Sequence, residues 1–227
     1  MASIAENIFT IRRQIAAAAR ECGRAEDSVL LLAVSKTQGP EKVREAYAAG
    51  QRDFGENYVQ EALEKMPQLA LPGLVWHFIG PIQSNKTAEI AAHFDWVHGI
   101  DRLKIATRLS SQRPASRGPL NVCVQVNLSA EDTKSGVPLS EAEPLCQAIR
   151  TLPGVCLRGL MAIPAPCDDP LEQRRVFAPL QREFLRLQGQ IPTLDTLSIG
   201  MSADFEAAIA QGSTMVRIGT ALFGART

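Results

Sequence analysis

The stretch "LLLAVSKTQ" (residues 30–38) carries an unbroken apolar run into Ser35 and Lys36. A run this short, bounded by polar residues, predicts a strand covered on both faces, as in the parallel sheets of α/β proteins. Such folds place their chemistry at the C-terminal ends of strands, which makes Lys36 the first candidate functional side chain.

The same alternation repeats on either side. Upstream, "SIAENIFTIRRQIAAAARE" puts Ile4, Ile8, Ile11 and Ile15 on one helical stripe, opened by a capping box from Ser3 to Glu6. After the strand at 29–35, the chain reads as helix 40–50, strand 52–57, a helix to about Met66, strand 74–80, helix 85–94, strand 95–100, helix 101–112 and strand 120–128. A polar loop, "SAEDTKSGVP", leads to the helix "LSEAEPLCQAIRTL" and strand 154–163. A long helix from about Leu171 to Gln188, strand 193–200, the helix "ADFEAAIAQG" and strand 214–224 complete the pattern.

About eight strands alternating with helices, with no break in composition, predict an α/β fold: a single (β/α)8 TIM barrel over residues 1–227 with an extra N-terminal helix. The alternative is a doubly wound open sheet. That fold wants a glycine-rich phosphate loop after an early strand, and neither G-x-G-x-x-G nor G-x-x-x-x-G-K-[ST] occurs.

Composition narrows the function classes. The chain has 227 residues, 45% hydrophobic and 21% charged, enough for one substantial core. Lys plus Arg and Asp plus Glu both number 24, so no net field favours nucleic acid or an acidic membrane. No apolar stretch reaches the roughly 18 residues of a membrane span. Glu6 and Asn7 interrupt any signal-peptide core, and the expected location is the cytoplasm. The 5 cysteines, Cys22, Cys123, Cys146, Cys156 and Cys167, form no C-x-x-C pair, which argues against disulfides or zinc. His93 and His98 are wrongly spaced for ligands on one helical face, so no metal site is expected.

In a barrel, the strand ends face one mouth. They offer Lys36, Asn57, His77, the group "GPIQSNK" with Gln83, Asn85 and Lys86, and later Met161, Ser198, Ser202, Arg217 and Thr220. "SIGMSADFEAAIAQG" is a serine and glycine turn feeding a helix, which suits an anion, although Ser202 acting only as an N-cap explains it equally well. "RIGTALFG" adds Gly219 and Thr220, and the loops after strands seven and eight form the usual phosphate site of barrels. An ordinary lysine holds only roughly one part in a few thousand as free amine at neutral pH, so a nucleophilic Lys36 needs burial or a cationic neighbour. A lysine, a phosphate cradle and an arginine for a ring nitrogen together describe a pyridoxal phosphate pocket.

"AVSKTQ", "FGENYVQE", "WHFIGPIQSNK", "NLSAEDTKSG", "RGLMAI", "SIGMSADFEAAI" and "VRIGTALFG" resemble, in order from Val29 to Gly224, the signature stretches of the pyridoxal phosphate homeostasis proteins. That family is related to the fold type III barrels of alanine racemase. The resemblance implies that Lys36 forms the Schiff base with pyridoxal 5'-phosphate and that Asn57 and His77 flank its ring. It also implies that Ser198, Gly200, Met201 and Ser202 of "SIGMS", with Gly219 and Thr220 of "RIGT", cradle the phosphate, and that Arg217 faces the pyridine nitrogen. Ile199 stands where many relatives have methionine, a volume-conserving exchange.

Racemases of this fold carry a further C-terminal β-domain that supplies an acid/base tyrosine, and the chain is expected to lack that domain. Its tyrosines, Tyr47 and Tyr58, lie in early helical regions. An always-protonated arginine on the ring nitrogen also leaves that nitrogen without its own proton, which weakens the ring as an electron sink. The expectation is a monomeric carrier that buffers the cofactor or delivers it to apo-enzymes, with no dedicated catalytic residue or turnover. The alternatives are a small racemase or lyase using Lys36 as base, and a phosphate-sensing barrel in which Lys36 only pairs with an anion. The "KSGV" stretch (134–137) reads as a solvated turn, a mouth closure or a second anion site.

Overall fold

The computed structural model describes residues 2–129 and 135–224. Helix α1 (Ile4–Glu21) starts at the expected capping box: Ser3 Oγ accepts from the Glu6 N–H at 3.2 Å, and Glu6 Oε2 accepts from the Ser3 N–H at 2.8 Å. Its buried stripe includes Ile4, Ile8, Ile11 and Ile15. The strands are β1 (Leu30–Val34), β2 (Asp53–Glu56), β3 (Val75–Phe78), β4 (Trp96–Ile100), β5 (Leu120–Asn127), β6 (Val137–Pro138), β7 (Val155–Ala162), β8 (Thr196–Ser198) and β9 (Met215–Ile218). Between and after them lie α2 (Pro40–Ala48), α3 (Val59–Lys65), α4 (Thr87–His93), α5 (Leu103–Gln112), α6 (Leu139–Ile149), α7 (Pro170–Gln188), α8 (Phe205–Ala210) and α9 (Thr220–Phe223).

All strand pairings are parallel. They run β1–β2–β3–β4–β5–β7–β8–β9, and β9 returns to β1 with Leu30 opposite Met215 and Ala33 opposite Ile218, so the sheet closes into the expected eight-stranded barrel. The short β6 pairs with the C-terminal end of β5, Val126 opposite Val137. Closure removes sheet edges, and the helices cover the outside through a continuous apolar layer that includes Phe54, Phe78, Phe94 and Phe177.

Register settles what points inward. Val34 pairs with Gly55, Gly55 with His77, and Leu32 with Arg217, which places these positions on one face. Leu32, Val34, Ile79 and Met215 form a small separate apolar cluster there. His77, His98, Ser198 and Arg217 make much of the remaining interior polar, where the layers usual in such barrels are branched and apolar.

Several boundaries differ from expectation. The last strand stops at Ile218 and not at Gly224, because "TALF" turns into α9 and buries Leu222 and Phe223. Asn7 of α1 donates to the Leu222 carbonyl at 2.9 Å. The strand expected over 193–200 shortens to Thr196–Ser198, since Leu194 closes a turn onto Ile191. Of the "KSGV" stretch, Lys134 lies outside the described residues, while Val137 is buried in β6 and is no solvated turn. No described helix is long and apolar enough to cross a membrane, and no described group of His, Cys, Asp and Glu is assembled to hold a metal.

Candidate functional site

Lys36 sits just past β1, half-buried, in a turn held from both sides. The next residue, Thr37, has φ 62° and is the one non-glycine in the left-handed region among the described residues. Such a conformation costs about 1–3 kcal/mol and persists only where the surroundings enforce it. Here its N–H donates to Glu61 Oε1 at 2.6 Å. Lys65, at the end of α3 and only 4% exposed, donates to that same Glu61 oxygen at 2.9 Å, to Glu56 Oε1 at 2.7 Å and to the Ser35 carbonyl at 2.9 Å. The Ser35 hydroxyl donates to Glu56 Oε1 at 2.6 Å. The buried charges of β2 and α3 thus grip the residues on either side of Lys36.

Glu56 is fully buried, and burial pushes its carboxyl pKa up while Lys65 pulls it down. Its Oε2 has no partner among the described residues. None of Glu56, Glu61 and Lys65 was among the sequence candidates. Their one visible signal, the Glu61 to Lys65 spacing of four, reads equally as a solvated helix face.

The remaining candidates distribute over two depths. Asn57 follows β2, and its Oδ1 is buried with no partner among the described residues. Gly80 approaches its backbone so closely that a Cβ there would lie 2.2 Å from the Asn57 carbonyl oxygen. Across the mouth, Gly200 has φ +96°, and a Cβ would meet Ala208 Cβ at 2.7 Å. The Arg217 N–H donates to the Gly200 carbonyl at 2.9 Å, tying β9 to the turn after β8. Ser202 is exposed and is not the helix cap, because α8 begins only at Phe205 after a turn in which the Met201 N–H donates to Asp204 Oδ1 at 2.6 Å. Gly219 and the exposed Thr220 follow β9 beside Val34, which a Gly219 Cβ would touch at 3.4 Å. Gln83 and Asn85 are exposed, Lys86 pairs with Glu89 at 3.0 Å, and Met161 is buried.

Below the mouth lies a buried polar chain. Arg217, 4% exposed, donates through Nη1 to Ser198 Oγ at 2.9 Å and through Nη2 to the Ala162 carbonyl at 2.9 Å. It makes no ion pair among the described residues, and burial lowers its pKa to about 10, which still leaves it charged at neutral pH. Ser198 Oγ lies 2.9 Å from His98 Nδ1, and His98 Nε2 lies 3.0 Å from His77 Nδ1. His77 Nε2 lies 3.1 Å from Asp53 Oδ1, at the opposite end of the barrel. Both nitrogens of His77 are therefore engaged below the mouth, and the Ser198 hydroxyl serves Arg217 and His98. Burial lowers the pKa of His77, and it lowers that of His98 well below the usual imidazole range, with His77 and Arg217 adding to the effect. His98 and Asp53 were not sequence candidates, since their partners lie on other strands: His77 on β3 for both, and Ser198 across the barrel on β8 for His98.

A closed parallel barrel that converges a lysine, a buried arginine and two glycine turns on one mouth defines a class, the barrels of the alanine racemase type. The family model described as "Alanine racemase, N-terminal domain" matches residues 6–227. Within that class, the chain belongs to the pyridoxal phosphate homeostasis proteins. It is 55% identical over 229 residues to the pyridoxal phosphate homeostasis protein of Escherichia coli, covering 100% of this chain and 98% of that protein. The Pseudomonas aeruginosa protein of the same name is 58% identical over 226 residues, covering 100% of this chain and 97% of that protein. Among solved structures, PipY of Synechococcus elongatus with PLP bound superposes with a TM-score of 0.84 at 37% identity, covering 98% of this chain and 100% of that one.

Proposed function

We propose that this chain binds pyridoxal 5'-phosphate at the barrel mouth and serves its homeostasis, holding the cofactor reversibly on Lys36 for buffering or for delivery to apo-enzymes. The observation that carries the reading is Arg217: a guanidinium buried below the mouth and bonded only to the neutral Ser198 and Ala162 acceptors, so that N–H groups remain for a ligand entering past Lys36. The buried, unpartnered Asn57 Oδ1 and the bare backbone at Gly200 and Gly219 fit the same ligand. The relatives' names and the PLP bound to PipY support it.

When bound, the cofactor supplies an aldehyde that condenses reversibly with a primary amine and releases water. The protein's part is positional. The Glu56, Glu61 and Lys65 cluster fixes the turn that presents the Lys36 amine, Arg217 would donate toward the pyridine nitrogen, and the turns at Gly200 to Ser202 and Gly219 to Thr220 would receive the phosphate. Because arginine donates without giving up its proton, a ring nitrogen held by Arg217 would stay unprotonated, and the ring would withdraw electrons only weakly. That favours holding over turnover, in a monomer of the cytoplasm.

Borohydride reduction of the loaded protein, followed by peptide mapping, tests the anchor: a pyridoxyl adduct on Lys36 is expected, and it disappears in Lys36→Ala. Cofactor retained without any adduct would overturn the covalent reading in favour of simple anion binding. Delivery predicts that loaded protein activates an apo-enzyme faster than an equal amount of free cofactor. Exchange of amino-acid α-protons in heavy water above the free-cofactor background, lost in Lys36→Ala, would instead establish the racemase or lyase alternative.

A further inference from the structure

The polar chain through the barrel core has a direction, and the chemistry of its two ends fixes it. A guanidinium can only donate, so Ser198 Oγ accepts from Arg217, and at the other end an ionised Asp53 carboxylate can only accept, so His77 carries a proton on Nε2. A neutral His77 then accepts on Nδ1 from the Nε2–H of His98, and a neutral His98 accepts on Nδ1 from the Ser198 hydroxyl. Two neutral imidazoles and one hydroxyl satisfy every link in only this orientation, and burial of both rings favours their neutral forms.

Stability alone does not call for such a chain. Part of the same interior is filled by Leu32, Val34, Ile79 and Met215, and replacing buried polar groups by apolar ones of similar volume is often neutral or stabilising. Ser198, His98 and His77 are fully buried, and Asp53, with its side chain 19% exposed, is the member that reaches solvent. It does so at the floor of the barrel, in a cleft of about 760 Å³ also lined by Arg12, Arg52, Trp96 and Asp195. His77 is held flat against Trp96, with ring centroids 5.4 Å apart and planes 10° apart, so it cannot easily swing out of line.

We propose that Asp53, His77, His98 and Ser198 are positioning residues for the cofactor's ring nitrogen: a one-way hydrogen-bond relay from the barrel floor that aims Arg217 and tempers its charge. The inference rests on the reading that the mouth takes a pyridine ring against Arg217. Arg217 has no ion-pair partner among the described residues, and the Asp204 carboxylate acts on it only through space; the relay adds the charge of Asp53 through groups polarised in series. With Asp53 removed, the His77 proton loses its acceptor, either tautomer becomes accessible, and the order of the relay above it is lost.

The first test needs no cofactor. In a His93→Gln background, which removes the exposed third histidine, nitrogen-15 NMR of the imidazoles at neutral pH should show His77 and His98 both neutral and both protonated on Nε2. A protonated ring, or an Nδ1-protonated one, overturns the relay. The second test uses protein loaded with pyridine-nitrogen-15 pyridoxal phosphate. Asp53→Ala should shift the ring-nitrogen resonance and the visible absorption band, and Asp53→Asn, which keeps an acceptor for His77 but removes the charge, should keep the imidazole tautomers and reverse only part of the shift. In Ser198→Ala, which cuts the relay near Arg217, adding Asp53→Ala should have no further effect. If Asp53→Ala leaves both signals in place while the borohydride adduct on Lys36 still forms, the relay is wrong and the cofactor reading stands. If wild-type protein neither forms the adduct nor retains the cofactor, the cofactor reading fails and the positioning role fails with it, whatever the imidazole tautomers show.

Discussion

Replacing Lys65 by methionine keeps the volume of the side chain and removes the one cation inside the cluster under Lys36. The Glu56 carboxylate, fully buried, is then left with the Ser35 hydroxyl as its only partner among the described residues. Breaking a buried ion pair by deleting one member costs about 3–5 kcal/mol, because the survivor is a desolvated charge. For a chain of this size, each kcal/mol shifts Tm by about 2–4 °C, so Lys65→Met should lower Tm by roughly 6–20 °C. Thermal denaturation followed by circular dichroism measures this directly.

The pH dependence carries the sharper test. Burial already raises the folded-state pKa of Glu56, opposed by Lys65. A raised folded-state pKa contributes stability that is fully present below the ordinary glutamate value and is lost as pH rises through the folded value. Without Lys65 that folded value climbs further, so the defect should be smaller near about pH 5 than near about pH 8. The double variant Glu56→Gln/Lys65→Met removes the stranded charge and should be more stable than Lys65→Met alone. If the double variant is no more stable than the single one, or if Lys65→Met costs less than about 1 kcal/mol, the buried-charge account of this turn is refuted.

Gly200→Ala places a Cβ 2.7 Å from Ala208 Cβ at φ +96°, and it should cost about 1–3 kcal/mol in urea denaturation and weaken retention of the cofactor phosphate, seen as easier displacement by inorganic phosphate. Gly159→Ala drives a Cβ to 1.6 Å from the Thr196 carbonyl oxygen, between paired β7 and β8; the barrel should fail to close, and soluble yield at 37 °C should collapse relative to wild type. The depressed pKa values of the buried His77 and His98 make the unfolded chain the better proton acceptor. Stability from these two groups is therefore present above about pH 6.5, the ordinary imidazole value, and is lost as pH falls below it. Urea midpoints measured across that range should drop on acidification, and His98→Asn should flatten the drop.

Much of this molecule was legible in one dimension. Short apolar runs such as "LLLAV" and "VCVQV" can be satisfied only by burial on both faces, which calls for a parallel sheet wrapped in helices, and eight such units close on themselves. Lys36 at a strand end, the glycines 200 and 219 and the arginine between them stand out for the same reason: their positions follow from local pattern, and strand ends in this fold share one mouth. The tail "TALFG" was harder, because its apolar residues suit a strand as well as the short helix that packs on α1.

Only the tertiary structure decided what those residues rest on. Lys65 is written into a helix like any solvated lysine, and it became a buried strut because the angle at which α3 meets β1 and β2 turns it inward onto Glu56 and Ser35. His77 and His98 are separated by 21 residues, and Asp53 and Arg217 lie farther apart still along the chain. Period two shows that side chains alternate between faces, but the stagger with which a closed sheet pairs its strands sets which inward residues meet at one level. Sequence pattern is local and determined the elements; the contacts that aim Lys36 and Arg217 depend on register across the closed barrel, which no local pattern encodes.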